Sequence, residues 1–468
     1  MTSFLEKTAP SKFTTFTSII ALLVFIPLLI AVVYKTTQLV SKASGTKANI
    51  VIDTQTKLEE INTDYFHAFA QGGEEAGDMI APILAETKAL TPKVIRLDHI
   101  FDHYDVVSKN GGTLTFDFSK LDVAVNTILA TGAKPFLSLS FMPQAIAKDG
   151  VVINPPNDWN DWTTVVQKTI EHYSGKAGKN ISGMYYEVWN EPDLDQFGSW
   201  KLSGENNYLT LYKTAAAGAN QATNVNAFMF GGPSTTGLYK NWILGVIGTG
   251  ARLDFFSWHS YLANPKQFTT DQHNLSSWLM AYPAYTTKPT IITEFGFTGA
   301  KSTAYGTAFG TAHTAAVLRE LISGGPTYIF SFELIDGPNQ ENGNGWGLIT
   351  HPTNGKKIKP RYYVYALFDS MKGTRLQLSG EGSWVTGFAS TKNNAINVLL
   401  VNFDASGSHT ETVPVTFERL ANGTYIYKET VLAGKTTQTQ ETVTNGTLKK
   451  TVVAAAQSVI KLELQRSK

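Results

Sequence analysis

Cysteine is absent from this 468-residue chain, and that absence removes several kinds of chemistry at once. Without a thiol the chain has no disulfide, no thiolate metal site and no cysteine nucleophile. Charge is also sparse, with 16% charged residues and a formal net charge of +1, and the sequence has no long Lys/Arg run. A nucleic-acid partner would require a basic face opposite its phosphates, so the composition argues against that class of partner.

The N-terminus carries a long apolar stretch. Residues Phe13 to Tyr34 include no charge, and a helix that spans a bilayer needs about 20 apolar residues. We therefore expect a transmembrane helix that acts as an uncleaved signal anchor, since the nearest small-x-small site, Ser41-Lys42-Ala43, lies well past its end. A cleaved signal peptide and a buried core helix are the alternatives. We expect the domains after this segment to lie outside the cytoplasm, whereas Lys35 and the lysines after it favour the opposite orientation.

After this segment, short apolar runs alternate with longer amphipathic stretches, and eight of the runs read as strands buried on both faces. These predicted strands are Phe66 to Gln71, Lys93 to Asp98, Pro135 to Ser140, Gly183 to Trp189, Ala227 to Gly231, Leu253 to His259, Pro289 to Glu294 and Thr327 to Glu333. Helical patterns lie between them, at Asp78 to Leu90, Leu121 to Thr131, Asp161 to His172, Glu205 to Ala222 and Ala308 to Ser323. A repeated βα pattern predicts a parallel sheet. Eight units favour a closed (β/α)₈ TIM barrel, in the α/β class. A doubly wound open sheet fits less well, because no Gly-rich phosphate loop follows the first strand and the candidate residues are spread over many strand ends.

The helical pattern disappears after about Lys372. Four segments then read as strands, Ile396 to Phe403, Glu411 to Phe417, Tyr425 to Val431 and Ser458 to Leu464, and Asn422-Gly423 and Asn445-Gly446 resemble hairpin turns. We expect a C-terminal β-sandwich, with Asn49 to Asp53 as an added edge strand. The predicted domains are thus residues 1–47 (anchor and linker), 48–371 (barrel) and 372–468 (β-sandwich accessory domain).

Two glutamates lie at the ends of predicted barrel strands. Glu191 lies in the segment Tyr-Tyr-Glu-Val-Trp-Asn-Glu-Pro-Asp at 185–193, and Glu294 ends Pro-Thr-Ile-Ile-Thr-Glu at 289–294. Active sites of TIM barrels occupy the C-terminal ends of the strands. Cleavage of a glycosidic bond needs two carboxyl groups that flank it, so the sequence contains a candidate for each role. Most isolated strand-end glutamates are merely solvated or salt-bridged, and the surrounding motifs decide against that alternative here.

Motifs across residues 60 to 371 resemble glycoside hydrolase family 39, of the clan A barrels that include β-xylosidases. They are Val94-Ile95-Arg96, Lys134-Pro135-Phe136, Phe141-Met142-Pro143, Glu187-Val188-Trp189-Asn190-Glu191-Pro192, Gly231-Gly232-Pro233, Asp254-Phe255-Phe256-Ser257-Trp258-His259, Ile292-Thr293-Glu294, Gly347-Leu348 and Lys359-Pro360. The resemblance implies a retaining hydrolase of β-linked oligo- or polysaccharide that needs no cofactor and no metal. The chain departs from the family at Asp98, where xylosidases carry a histidine, and at Ser331-Phe332-Glu333, which lacks the tryptophan of many clan A enzymes. The resemblance therefore leaves the sugar open.

Carried over residue by residue, the resemblance makes Glu191 the general acid/base and Glu294 the nucleophile. We expect Arg96 to keep Glu294 ionised and Asn190 to bind the sugar 2-hydroxyl. His259 and Tyr261 are expected to donate hydrogen bonds near the nucleophile. Arg96 could instead pair with a loop carboxylate, and His259 could be a core histidine.

Two further segments of the predicted barrel mouth are candidates for substrate contact. Trp346 could stack on a sugar ring or simply pack over the mouth. The run from Asp98 to Asp105 contains paired Asp and His at a spacing of four, which could ligate a divalent metal, but contact with sugar hydroxyls is the favoured interpretation and no metal is predicted.

Three functions fit these residues. The favoured one is a membrane-anchored retaining glycoside hydrolase, acting on chain ends or internally. The alternatives are a transglycosylase that uses the same carboxylate pair and a non-catalytic glycan-binding surface protein.

Overall fold

The computed structural model describes residues 45–467. Its strands, in chain order, are β1 (Ile50–Glu60), β2 (Ala68–Gln71), β3 (Val94–Leu97), β4 (Val107–Asn110), β5 (Thr113–Phe116), β6 (Lys134–Leu139), β7 (Met184–Val188), β8 (Phe228–Thr235), β9 (Phe255–Tyr261), β10 (Thr290–Gly296), β11 (Tyr328–Phe332), β12 (Thr374–Ser379), β13 (Val385–Lys392), β14 (Ala395–Asn402), β15 (Glu411–Glu418), β16 (Gly423–Val431), β17 (Thr436–Val443), β18 (Leu448–Ala454) and β19 (Val459–Arg466). Its α-helices are α1 (Leu84–Ala89), α2 (Ser119–Thr131), α3 (Trp159–Tyr173), α4 (Tyr208–Gln221), α5 (Lys240–Gly248), α6 (Lys266–Leu279), α7 (Ala308–Glu320) and α8 (Tyr363–Asp369).

Eight parallel strands close into a barrel in the order β10-β11-β2-β3-β6-β7-β8-β9. All eight predicted barrel strands are present at the predicted places, so the predicted TIM barrel is confirmed. A small apolar cluster fills the barrel interior, formed by Ala68, Val94, Phe136, Phe255, Ile291 and Phe330. This layer closes the lower part of the interior, which leaves the carboxyl ends of the strands as the open face.

The helices surround the barrel, and the five predicted helical segments each contain a helix. The structure adds three helices that the pattern did not reveal, α5, α6 and α8, together with the β4–β5 hairpin after β3. In α6 only Phe268, Leu275 and Leu279 are buried. An apolar stripe this thin gives a weak helical period, because most of the helix faces solvent.

The remaining nine strands form one hydrogen-bonded sheet in the order β17-β16-β19-β14-β13-β12-β1-β15-β18. Side chains from both ends of this order, such as Tyr425 and Phe417, share one apolar core. The sheet therefore folds over onto itself.

Two details of the sequence prediction were wrong. Residues 49–53 do not add an edge strand, because β1 lies inside the sheet between β12 and β15.

The two Asn-Gly pairs are not hairpin turns either. Strand β15 pairs with β18 and β16 pairs with β17, so the loops at Asn422-Gly423 and Asn445-Gly446 connect strands that are not neighbours. These two loops contact each other, since the backbone N–H of Gly446 donates to Asn422 Oδ1 at 3.2 Å. A tight hairpin instead joins β13 to β14 at Asn393 and Asn394, whose φ angles are both positive (52° and 61°). Asparagine tolerates this conformation, which two-residue hairpin turns require.

The transmembrane helix predicted within Phe13 to Tyr34 lies outside the described residues. Between residues 45 and 467, no helix combines the length and the apolar character that a membrane span requires.

Candidate active site

The predicted site residues meet at the open face because side chains alternate along each barrel strand. In β3, Val94 belongs to the interior layer while Ile95 packs outward against the helices. Arg96, two residues after Val94, therefore points inward again, one layer closer to the mouth. The same alternation in β9 places Phe255 in the interior layer and His259 above it.

A β-bulge re-aims Glu294. Ile291 of β10 packs in the interior layer, and its pairing with β9 then shifts register between Ile292 and Glu294. The extra residue, Thr293, changes the parity of the strand, so that Glu294 faces the interior while Phe295 packs outward. Bulges of this kind are over-represented next to active sites.

Glu191 reaches the mouth through a strained turn after β7. The φ angles of Trp189 and Glu191 are 72° and 43°, in a region that non-glycine residues rarely adopt. The backbone N–H of Glu191 donates to Ser234 O of β8 at 2.9 Å, which holds this turn in place. Strain held by its surroundings is typical of functional sites.

The side chains of Glu191 and Glu294 converge on His259. A carboxylate oxygen of each glutamate and a ring nitrogen of His259 all lie within 4.8 Å of one another. His259 Nδ1 lies 2.8 Å from Glu191 Oε1 and 3.4 Å from Glu294 Oε2. The histidine was expected near the nucleophile, and it contacts the other glutamate more closely.

Glu294 accepts a hydrogen bond on each oxygen. Arg96 Nη1 donates to Oε1 at 2.9 Å, and the Tyr261 hydroxyl donates to Oε2 at 2.6 Å. The same guanidinium donates from Nη2 to Asn190 Oδ1 at 2.7 Å and from Nε to Glu187 Oε2 at 2.8 Å. Arg96 is fully buried and its planar fork fixes three partners at once.

Burial raises the pKa of Glu294 to about 7, and Glu191 and Asp98 act in the same direction, whereas His259 and Arg96 lower it. Burial lowers the pKa of His259, but the carboxylates of Glu294 and Glu191 outweigh it, so the net direction is upward. Arg96 and Tyr261 both donate to Glu294, and hydrogen bonds to a carboxylate favour its ionised form.

A cavity of about 430 Å³ opens directly over this pair. Its lining includes the predicted residues Asp98, Asn190, Glu191, Tyr261, Glu294 and Trp346. Trp346 packs edge-on against Phe332 at 5.5 Å between ring centroids and lines the mouth at the same time. Arg96 and His259 lie beneath the lining and support it.

The loop from His99 to His103 forms a single turn beside the cavity. The two histidine rings stack with centroids 4.4 Å apart, and His99 Nδ1 lies 2.8 Å from Asp102 Oδ2. Asp102 therefore anchors the turn, since its other oxygen accepts from the backbone N–H of Phe141 at 3.2 Å. His99 lines the cavity.

Sequence reasoning missed three carboxyl groups at this face: Glu187, Glu74 and Glu333. Glu187 and Glu333 are fully buried, and Glu74 lines the cavity. A signal was present for Glu187, because a charge inside a buried strand needs a partner and Arg96 occupies a neighbouring part of the barrel. Glu74 follows two glycines in a loop, where no pattern marks it.

Comparison with known proteins finds a family model and curated relatives that match this chain. Residues 86–289 match the model of glycosyl hydrolases family 39. A curated β-xylosidase from Geobacillus stearothermophilus is 25% identical over 301 residues, which cover 57% of this chain and 58% of that protein. Another β-xylosidase, from Caldicellulosiruptor saccharolyticus, is 25% identical over 359 residues, which cover 68% of this chain and 71% of that protein.

Solved structures share the fold over most of the described chain. A monomeric β-xylosidase from Caulobacter crescentus CB15 superposes with a TM-score of 0.72 at 18% identity, covering 90% of this chain and 100% of that one. A GH39 enzyme from Xanthomonas axonopodis pv. citri superposes with a TM-score of 0.71 at 17% identity, covering 90% and 98%. The family-model match and the curated relatives support a relationship of this chain to glycosyl hydrolase family 39, and the solved structures show the shared fold.

Proposed function

We propose that this protein is a retaining glycoside hydrolase that cleaves β-linked oligo- or polysaccharide, with Glu294 as nucleophile and Glu191 as general acid/base. The observation that carries the proposal is the approach of the two carboxylates to within 4.8 Å, over one cavity. Retaining enzymes hold their carboxyl groups about 5 to 5.5 Å apart, whereas inverting enzymes need about 6.5 to 9.5 Å to admit a water molecule. The observed spacing favours direct attack on the sugar.

In the first step Glu191 donates its proton to the glycosidic oxygen, and the bond from C1 to that oxygen breaks. The leaving group departs as a neutral alcohol, while a Glu294 oxygen bonds to C1 and forms a glycosyl ester. Arg96 and Tyr261 hold the Glu294 carboxylate in position for this attack.

In the second step the Glu191 carboxylate accepts a proton from a water molecule, and the water oxygen bonds to C1. Glu294 is released as a carboxylate and Glu191 is protonated again. His259, 2.8 Å from Glu191, can stabilise the carboxylate that exists between the two steps. The proton inventory is therefore restored after each turnover.

The Asn190 side chain is expected to donate to the sugar 2-hydroxyl. Its Oδ1 is already occupied by Arg96 at 2.7 Å, which leaves the amide N–H₂ for the substrate. Hydrogen bonds to the 2-hydroxyl strengthen in the transition state. Trp346 is proposed to cover a sugar ring at the mouth.

A mechanism-based trap tests the proposal directly. Activated 2-deoxy-2-fluoro-β-glycosides should label the protein once, on Glu294, as read by peptide mass spectrometry. Labelling of another residue would contradict the assigned roles. Absence of labelling together with retained glycan binding would instead favour the non-catalytic alternative.

Hydrolase and transglycosylase differ only in what attacks the glycosyl ester. Product analysis with and without an added acceptor sugar separates them. A fragment that starts near residue 48 keeps all the described strands and suits a screen on aryl β-glycosides, β-xylosides included, and on longer oligosaccharides. Cleavage of aryl glycosides alone favours action on chain ends, and shortening of long chains alone favours internal cleavage.

We also propose that the apolar segment from Phe13 to Tyr34 anchors the protein in a membrane with the barrel outside the cytoplasm. The segment's length and lack of charge support this. Protease protection of the barrel in intact cells would contradict the external placement, and recovery of the full-length chain in the soluble fraction would contradict the anchor.

A further inference from the structure

One side of the cavity is lined by the carboxyl groups of Glu74 and Asp98, and Glu333 lies behind Glu74, since Gln71 Nε2 contacts both glutamates. We call it the acidic wall and define it as Glu74, Asp98 and Glu333. Asp98 is 4% exposed and lines the cavity, and no donor among the described residues reaches its Oδ1. Glu333 is fully buried, and its Oε1 likewise has no donor within the described part of the chain.

The cations near the wall are already engaged elsewhere. Arg96 donates to Glu187 and Glu294 and comes no closer than 4.0 Å to Asp98. His99 lies 2.8 Å from Asp102.

Lys359 pairs with Asp336 at 2.7 Å. The donor that serves the wall is a neutral amide, Gln71 Nε2, at 3.1 Å from Glu333 Oε2 and 3.5 Å from Glu74 Oε2.

His99 also carries positive charge beside the wall: burial lowers its pKa, but Asp98, Asp102 and Glu74 together raise it to about 9. Because His99 pairs with Asp102, the three carboxyl groups of the wall still have no cation within hydrogen-bond distance among the described residues.

Burial raises the pKa of Glu74, with Asp98 acting in the same direction. Burial and the adjacent Glu74 and Asp336 raise the pKa of Glu333, and Lys359 opposes them only in part. A buried carboxylate with a raised pKa is stabilised when it binds a proton or when another cation lies beside it.

The wall is next to the position of the reacting sugar. A single guanidinium nitrogen, Arg96 Nη1, lies 2.9 Å from Glu294 Oε1 and 4.0 Å from Asp98 Oδ2. A sugar bonded to Glu294 would thus present its ring substituents to Asp98 and Glu74.

We propose that the sugar unit bound against the acidic wall carries a free amine, so that the preferred substrate is a glycan of unacetylated amino sugars. This rests on the proposed function, because it assigns the sugar that Glu294 attacks. An ammonium group supplies positive charge and three N–H donors to acceptor-only partners, which a hydroxyl cannot match. A uronic acid would bring another carboxylate into the same space and be repelled.

Binding of non-hydrolysable ligands tests this without requiring turnover. Phenyl 1-thio-β-xylopyranosides with a free amine at C2, C3 or C4 are compared with their N-acetyl counterparts and with the all-hydroxyl parent, by calorimetric titration of the full-length protein. At least one free amine is expected to bind ten times or more as tightly as the parent, and its N-acetyl form is expected to lose that gain.

Charge-removing variants locate the effect. Asp98→Asn and Glu74→Gln should abolish the amine's advantage while the parent sugar still binds. Glu75→Gln is the matched control, because Glu75 is exposed and points to His351 rather than to the cavity. It should leave the advantage intact.

Equal or weaker binding of every amine, or an advantage that survives both wall variants, would overturn the proposal. So would a failure of the whole series to bind. The 2-fluoro trap reports separately on Glu294, so a protein that prefers amines yet forms no covalent adduct would refute the hydrolase assignment and leave the acidic wall standing.

Discussion

The two sides of the catalytic cavity treat buried charge in opposite ways. On the side of the reacting pair, Glu294 has a donor on each oxygen, and Glu187 shares the guanidinium of Arg96 although its Oε1 has no donor among the described residues. On the side of the acidic wall, Asp98 and Glu333 each keep an oxygen without a donor among the described residues. The hydrogen bonds on the side of the reacting pair fix its side chains before substrate binds. The carboxylate oxygens of the acidic wall that lack a donor can instead accept hydrogen bonds from a ligand.

The largest expected effect comes from the reacting pair itself. Glu191→Gln removes the proton donor, and proton transfer by a positioned side chain contributes about 10²- to 10⁴-fold to rate. We expect kcat to fall by about this factor on substrates with poor leaving groups and by much less on activated aryl glycosides. Steady-state kinetics on both substrate classes measures it.

Equal losses on the two substrate classes would contradict the acid role of Glu191. Glu294→Gln should abolish turnover on both and prevent labelling by the 2-fluoro trap. The surface variant Glu75→Gln serves as the control and should retain full activity.

The next effect concerns stability on the compensated side. Arg96→Met strands the buried carboxylates of Glu187 and Glu294, and loss of one partner of a buried ion pair costs about 3 to 5 kcal/mol. We expect the free energy of unfolding to fall by that amount in a denaturant titration. Arg419→Met is the matched control, since Arg419 pairs with Asp53 at the surface and should cost at most about 1 kcal/mol.

The pH profile couples the two sides. Because burial holds the pKa of Glu294 at about 7 and Glu294 attacks as a carboxylate, kcat/KM should decline as pH falls below that point. The negative charge of Asp98 helps to raise this pKa, so Asp98→Asn should move the acidic limb to lower pH. An unmoved limb in that variant, with the wild-type limb near pH 7, would show that Asp98 does not act on the pair.

The smallest expected effect is a gain in stability on the uncompensated side. The folded-state pKa of Glu333 lies above its ordinary value of 4.5 because of burial. Its stabilising contribution is therefore fully present below about pH 4.5 and is lost as pH rises through the folded-state pKa. Glu333→Gln should raise the free energy of unfolding by about 1 kcal/mol near neutral pH, with a smaller gain at acidic pH.

Urea titrations of this variant and the wild type at pH 5 and pH 8 provide the measurement. Glu187→Gln is the contrasting variant, because it leaves Arg96 Nε without its partner and should lower stability at both pH values. A loss in Glu333→Gln that matches the loss in Glu187→Gln would erase the difference between the two sides.

The barrel could be predicted because its strands are short apolar runs at regular intervals, and the two reacting glutamates because each follows such a run. The other carboxyl groups around them, Glu187, Glu74 and Glu333, could be placed only in three dimensions. Glu187 and Arg96 are 91 positions apart in the chain, and Glu74 faces Glu333 only because β2 and β11 are neighbours in the closed barrel. The spacing of residues along the sequence does not indicate which strands become neighbours when the barrel closes.

The errors in the C-terminal region have a similar cause. Asn-Gly pairs favour tight turns locally, but the turn does not determine which strand the chain joins next. The segments that contain β12, β13, β17 and β18 lacked enough apolar alternation to be predicted as strands, and β17 in particular is exposed along nearly its whole length.

The position of β1 has a consequence for how the polypeptide can be assembled and divided. This strand joins β12 to β15, which have no other link to each other in the order of the sheet. During translation, β1 is synthesised more than three hundred residues before β12 and β15, the two strands with which it pairs. Its backbone groups therefore stay without these partners until the whole barrel has been synthesised. A C-terminal fragment that starts after the barrel would therefore lack β1. Its strands would form two separate sets, β17-β16-β19-β14-β13-β12 and β15-β18, with no strand to connect them.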